Sequence, residues 1–205
     1  EVFGCLEREL VKRISHPGTC ANLCLLAGSY IWCANLGDCR ACYVDLDLLS
    51  LTWLSKDHDA SSPSEKARIE MVGGYVQNGR VGGALEPSRT LGDLDVKRLM
   101  PGAVLAEPEH RLLDLRELHL DTACRARGVM ITASDGLWKC VDSRGVLQIL
   151  ESRIKILKHG EPASLTALDN LTQALVDRGD PMDDVTVLTA LVDVTWLSSD
   201  IHDSY

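Results

Sequence analysis

The sequence predicts an α+β sandwich. Short apolar runs joined by tight turns cluster early, two amphipathic helices follow each other late, and a mostly apolar strand comes near the end. Strict alternation of strand and helix, the signature of a parallel sheet, is not seen. No internal repeat or linker divides the 205 residues, so the expectation is a single domain over 1–205, with residues 195–205 as a tail.

The elements follow from local chemistry. A helix is expected from Leu6 to Ile14, ending before His16-Pro17-Gly18. Strands Cys20 to Ala27 and Tyr30 to Leu36 flank Gly28-Ser29, and Arg40 to Leu46 follows the tight Gly37-Asp38 turn. Three consecutive strands with short connections read as an antiparallel meander. Ser62, Pro63 and Glu65 form an S-x-x-E start with proline at the first helical position, and Gly73-Gly74 stops that helix. Tyr75 to Val81 reads as a hairpin around Asn78-Gly79, residues that tolerate the positive φ of a type I′ turn. Val129 to Ser134 is a buried strand running into Asp135-Gly136. Asp142 caps a helix carrying Val146, Leu147, Leu150, Ile154 and Leu157, closed by Gly160. Another, from Ala163 to Arg178, carries Leu168, Leu171 and Leu175 and closes at Gly179. The last strand, Val185 to Val194, is so apolar that a central place in its sheet is expected.

Charge and composition narrow the function. A net charge of −9 argues against a general nucleic-acid binder, which would need a basic face, and disfavours a polybasic membrane-surface protein. The clearest apolar runs, Leu23 to Ala27 and Val129 to Ala133, are strand-sized and far short of a membrane span. The start, Glu1 to Arg8, has neither an initiator Met nor a signal-peptide pattern, so the chain is read as a piece of something longer, intracellular, in the cytoplasm or nucleus. Eight cysteines without a secretory context are expected to pack mostly as small buried apolar groups. Cys39-Arg40-Ala41-Cys42 is the only C-x-x-C. On a strand its two thiols face opposite ways, which is poor geometry for zinc.

Three aspartates sit at strand ends: Asp38 in a turn, Asp135 after a strand, Asp183 before the last one. Carboxylates gathered there repel one another unless a cation neutralises them, and hard oxygen donors favour Mg²⁺, Mn²⁺ or Ca²⁺. The plainer alternative is that Gly-Asp and Asp-Gly are ordinary turn dipeptides.

Longer strings change that balance. Gly18 to Ala21 with Ala34 to Ala41 resembles "GTTA … ANVGDSRA". Ser55 to His58, Glu65 to Glu70 and Gly73-Gly74 resemble "DH…EKARIEAAGG", and Arg80 to Asp93 resembles "RVNGVLAVSRALGD". Thr132 to Trp138 resembles "LASDGLWD", and Asp183 to Val187 resembles "DNITV". Together these strings resemble the metal-dependent serine/threonine protein phosphatases, the type 2C or PPM family, from about Gly18 to Val194. The resemblance implies two antiparallel β-sheets in a sandwich flanked by helix pairs, with two Mg²⁺ or Mn²⁺ ions, or three, at one end. It implies phosphoprotein substrates and hydrolysis of phosphoserine or phosphothreonine by a metal-activated water. By position in the strings, Asp135 and Asp183 match metal ligands and Asp38 matches the ligand of a third, weaker ion. Asp184 replaces the usual Asn. Arg89 and Asp93 are read as a loop-ordering pair.

The chain also departs from the pattern. No "DGHGG" string occurs, and the strings carrying the general-acid His and the phosphate-binding Arg are absent, so no catalytic residue is identified. The resemblance therefore covers the C-terminal two-thirds of the family's domain, lacking the N-terminal third, and a covering segment or subunit is expected at the missing strands. Lys139 stands where the family usually has an Asp beside the third metal. The alternative function is a catalytically inactive pseudophosphatase acting as a binding or scaffold subunit. His58 is expected to fix its loop, and His16, His110, His119, His159 and His202 to lie on the surface or in loops. Trp138 is expected to be a core aromatic.

Overall fold

The computed structural model describes residues 2–13, 17–119, 124–151 and 162–196. Expectations that fall on Ile14, His16, Ile154, Leu157, His159, Gly160 and the tail from 197 onward lie outside these residues. The first half of the chain holds α1 (Val2–Val11), β1 (Gly18–Thr19), β2 (Ala21–Ala27), β3 (Tyr30–Leu36), β4 (Arg40–Asp45), β5 (Ser50–Trp53), α2 (Pro63–Met71), β6 (Val76–Gln77), β7 (Arg80–Val81), β8 (Leu91–Gly92) and α3 (Leu94–Leu99). The second holds β9 (Glu109–Asp114), a 3-10 turn (Leu115–Leu118), β10 (Arg125–Ala133), α4 (Asp135–Trp138), α5 (Ser143–Glu151), α6 (Pro162–Val176) and β11 (Val187–Thr195). Two compact units form: Glu1–Leu23, Ala34–Cys39 and Ser55–His110 in the first, Cys24–Cys33, Arg40–Leu54 and Arg111–Tyr205 in the second.

The second unit is built on a four-stranded antiparallel sheet in the order β11-β10-β4-β5. Alternation along β10 sends Val129, Ile131 and Ala133 to one face. There they pack with Val146, Ile149 and Leu150 of α5 and with Ala167, Leu171 and Leu175 of α6. The other face carries Ala41, Tyr43 and Ala126, which pack on Ile31, Cys33, Leu113 and Leu115. Those residues belong to the second sheet, β2-β3-β9, and the turn after it. Each fully buried Leu or Ile in these layers contributes about 1.5–3 kcal/mol. Gly128 is required where it stands: a Cβ there would lie 2.2 Å from the Tyr43 ring. The outer face of β2-β3-β9 keeps Leu25, Trp32 and Leu112 exposed, in contrast to the helix-covered sheet.

Two topological expectations are corrected. β3 and β4 do not continue a meander, because they belong to different sheets. Gly37 (φ +97) turns the chain between them, with the Cys20 Sγ 2.2 Å from where a Cβ would sit. β11 is apolar yet lies at the sheet edge among the described strands, and β10 is interior. Val187 and Leu191 face the helix layer, whereas Val192 and Val194 face the second sheet. Its composition therefore reports two covered faces and not its rank in the sheet.

In the first unit, α1 buries Phe3 against Ala34, Leu36 and Leu91. Glu7 takes the Lys97 ammonium at 2.7 Å and the Gly92 N–H at 2.8 Å, tying α1 to β8 and α3. The Asn78-Gly79 hairpin forms as expected, with φ of 53° and 76°. Helix α2 starts at Pro63 after Ser62, but the reciprocal cap does not form: Ser62 Oγ is buried without a hydrogen-bond partner. Its expected partner, Glu65, turns inward. Among the described residues no helix is long and apolar enough to cross a membrane.

Candidate functional site

Asp135 and Asp183 are brought together by the β10–β11 ladder. The pairing ends with Ala133 opposite Val187, and the contacts continue past it. Ser134 N–H donates to Thr186 O at 3.0 Å, while Ser134 Oγ donates to Asp184 O and accepts from Thr186 N–H. Gly136 follows because a Cβ there would meet Asp184 O at 2.7 Å. The Gly136 carbonyl accepts from Asp180 N–H at 2.8 Å, which anchors the loop leading to Asp183. Asp135 thus opens α4 and Asp183 lies in the loop directly across from it.

Both carboxylates face one cation, the side chain of Lys139. Its ammonium is 2.6 Å from Asp135 Oδ2 and 3.0 Å from Asp183 Oδ2. All three side chains are partly exposed, at 41 % for Lys139, 30 % for Asp135 and 35 % for Asp183. Asp183 Oδ1 accepts the Asp184 N–H at 2.8 Å, which fixes the carboxylate. The Lys139 hydrogen bond, helped by this N–H, holds the Asp183 carboxyl below the usual carboxylate range.

Below α4, Trp138 is the core aromatic expected from the sequence. It is 7 % exposed, stands edge-on to Trp53 with ring centroids 5.2 Å apart, and donates its indole N–H to Arg40 O and Ala133 O. The Arg40 guanidinium lies 4.9 Å from the Trp53 ring centroid. This packing makes a rigid floor under the turn that carries Asp135.

Asp38 belongs to the first unit. Its Oδ1 accepts from Cys20 Sγ at 3.1 Å, and it comes within 4.8 Å of a Glu86 carboxylate oxygen. Glu86 also pairs with Arg80 at 2.7 Å. Sequence reasoning missed Glu86. The signal was a carboxylate inside the Arg80 to Asp93 string, at a position where the quoted family pattern has none.

Arg89 and Asp93 do not pair. Arg89 donates to Glu65 Oε1 at 2.7 Å and to the Glu107 carbonyl at 3.1 Å. Glu65, 5 % exposed, also accepts from Arg68 at 2.8 Å and from Ser88 Oγ at 2.6 Å. Burial pushes the Glu65 carboxyl up, but the bonds from Arg89, Arg68 and Ser88 outweigh it and hold the group at about 2. Asp93 instead precedes α3 in a left-handed conformation (φ 48), its carboxylate against Gly18, and burial raises its pKa.

His58 does fix its loop: its ring Nδ1 accepts the Gly37 N–H at 3.1 Å, and burial, then the Arg89 charge, pull its pKa down. His119 is a correction. It is not a surface residue but 6 % exposed, with Nε2 2.6 Å from the fully buried Asp45 carboxylate. Asp45 spends its other oxygen on the N–H groups of Asp47 and Leu48, so the pair pins a turn. The thiols differ too: Cys33 and Cys42 are buried, four others are partly exposed, and Cys5 and Cys140 are exposed. Cys42 lies in the helix-side core, where burial pushes its thiol pKa up.

The chain matches the family model for protein phosphatase 2C over residues 6–179, and it belongs to that family. It is 30 % identical over 182 residues to a probable protein phosphatase 2C 6 of Paramecium tetraurelia, covering 88 % of this chain and 60 % of that protein. It is 32 % identical over 186 residues to a probable protein phosphatase 2C 32 of Oryza sativa subsp. japonica, covering 89 % of this chain and 43 % of that protein. The chain thus spans about half the length of these relatives. In fold it is similar to a serine-threonine phosphatase 2C from Toxoplasma gondii, with TM-score 0.62, 22 % identity, and coverage of 92 % of this chain and 64 % of the other. It is also similar to a C. elegans sex-determining protein, with TM-score 0.70, 21 % identity, and coverage of 93 % and 44 %. The sandwich expected from the sequence is therefore that of the protein phosphatase 2C fold.

Proposed function

We propose that this chain carries part of the metal centre of a serine/threonine protein phosphatase, with Asp135 and Asp183 holding Mg²⁺ or Mn²⁺ and Asp38 serving a weaker third ion. The observation that carries this reading is that Asp135 and Asp183, far apart in sequence, present oxygens to one cationic position. The donor set fits: two partly exposed hard carboxylates suit a divalent ion that keeps part of its water. Bound divalent cations would supply a water of lowered pKa and neutralise charge on the phosphoryl group. The chain's own residues hold and orient. Ser134 and Gly136 lock the Asp183 loop against the start of α4, and the tryptophan floor keeps Asp135 in place. Family membership makes phosphoserine and phosphothreonine proteins the proposed substrates.

One observation favours the second reading, an inactive scaffold: the ammonium of Lys139 already occupies that position. Hydrolysis of p-nitrophenyl phosphate and of a phosphopeptide in Mn²⁺, with and without chelator, separates the two. The enzyme reading expects chelator-sensitive turnover that Asp135→Ala abolishes. Turnover by the full-length protein but not by this chain keeps the enzyme reading, absence of turnover by both supports the scaffold, and turnover indifferent to Asp135→Ala removes that residue from the metal centre.

A further inference from the structure

We propose that Lys139 is a tethered counter-cation of the Asp135–Asp183 pair, which a divalent ion must displace, so that this residue sets how tightly the centre binds metal. The inference rests on the metal reading of these two aspartates given above. Two carboxylates aimed at one point repel each other, and the single ammonium at 2.6 and 3.0 Å offsets only one of their two charges. A divalent ion offsets both.

Lys139 can yield the position. It sits four residues after Asp135 and still has helical backbone angles (φ −65, ψ −29), with its N–H bonded to Asp135 O at 2.9 Å. Its stem accordingly leans back over the preceding turn, towards the carboxylates. With 41 % of the side chain already in water, the ammonium can swing out without becoming a buried unpaired charge. The aspartates are less free, because Asp183 is held by the Asp184 N–H and by its own N–H on Asp180 O at 3.2 Å. The cradle stays and the lysine leaves.

The test is Mn²⁺ binding to the full chain, followed by titration calorimetry and by the electron paramagnetic resonance signal of free Mn²⁺, at constant ionic strength. Lys139→Met removes the competitor, and affinity should rise roughly 3- to 10-fold, the modest scale expected when exposed, solvent-screened ion-pair contacts are lost. Lys139→Gln should move the same way, and Lys139→Arg, which keeps the charge, should not gain affinity. If neither neutral variant binds more tightly than the wild type while Asp135→Asn abolishes binding, Lys139 is no competitor and the metal reading stands. If Asp135→Asn leaves Mn²⁺ binding unchanged in both wild-type and Lys139→Met backgrounds, the metal reading fails and takes the lysine proposal with it.

Discussion

Glu65 in the first unit and the Asp135–Asp183 pair in the second are both carboxylate centres neutralised by basic side chains, yet they differ in kind. Glu65 is 5 % exposed and meets two guanidiniums and a hydroxyl. Its neighbours also reach backbone: Arg68 donates to Gly102 O at 2.8 Å and to Ala103 O at 3.0 Å. The carboxylate there is buried, and its two arginines are only about one-fifth exposed. Asp135 and Asp183 are about one-third exposed and share a single flexible ammonium. A carboxylate oversupplied with rigid donors holds a fold together, whereas one undersupplied with a mobile donor is open to exchange with an external cation.

The largest expected effect comes from breaking the first centre. Glu65→Gln leaves Arg68 and Arg89 without their counter-charge and should cost about 3 kcal/mol in denaturant unfolding, the low end for a broken buried pair since both arginines keep some exposure. A loss below about 1 kcal/mol would show that these arginines are satisfied by backbone alone. The same carboxylate makes stability pH-dependent. Its folded pKa of about 2 lies below the ordinary 4.5, so its contribution is fully present above pH 4.5 and lost as pH falls toward 2. Urea midpoints of wild type and Glu65→Gln should therefore converge across that window.

Ser88→Ala removes one donor and leaves the arginines, with an expected cost of about 1–2 kcal/mol and a rise in the pH of the acid transition. Smallest is Lys139→Met: in metal-free buffer its urea midpoint should fall slightly, by less than that of Ser88→Ala, because the pair is exposed and screened. High salt sharpens the contrast. The Glu65→Gln deficit should persist in 1 M salt, where the Debye length is about 3 Å, because a buried ion pair is screened little.

Parts of this contrast were legible in the sequence. The strings around Asp135 and Asp183 pointed to a shared cation site, and the ladder from Ala133 to Val187 brings those two aspartates together. Glu65 was legible only as a capping residue. The S-x-x-E pattern is a local rule, and two guanidiniums from distant parts of the chain outcompete one backbone N–H for a buried carboxylate. His119 gave no signal at all, since its partner Asp45 lies in β4, 74 residues earlier in the chain.

By itself the sequence determined what acts within a few residues. Tyr30 to Leu36 forms a strand with those bounds, Asn78-Gly79 makes its turn, and the Asp142 side chain caps α5 through the Gly145 N–H at 2.8 Å. It also determined the family, because that depends on strings of residues and not on their placement. Tertiary structure alone decided that β3 and β4 enter different sheets, that β11 lies at an edge, that Glu65 serves two arginines and that Lys139 bridges two aspartates. The physical reason is competition. Sterics and hydrogen bonding within one turn have few solutions, whereas a charged or apolar group with several distant suitors finds its partner only once packing has chosen who is near.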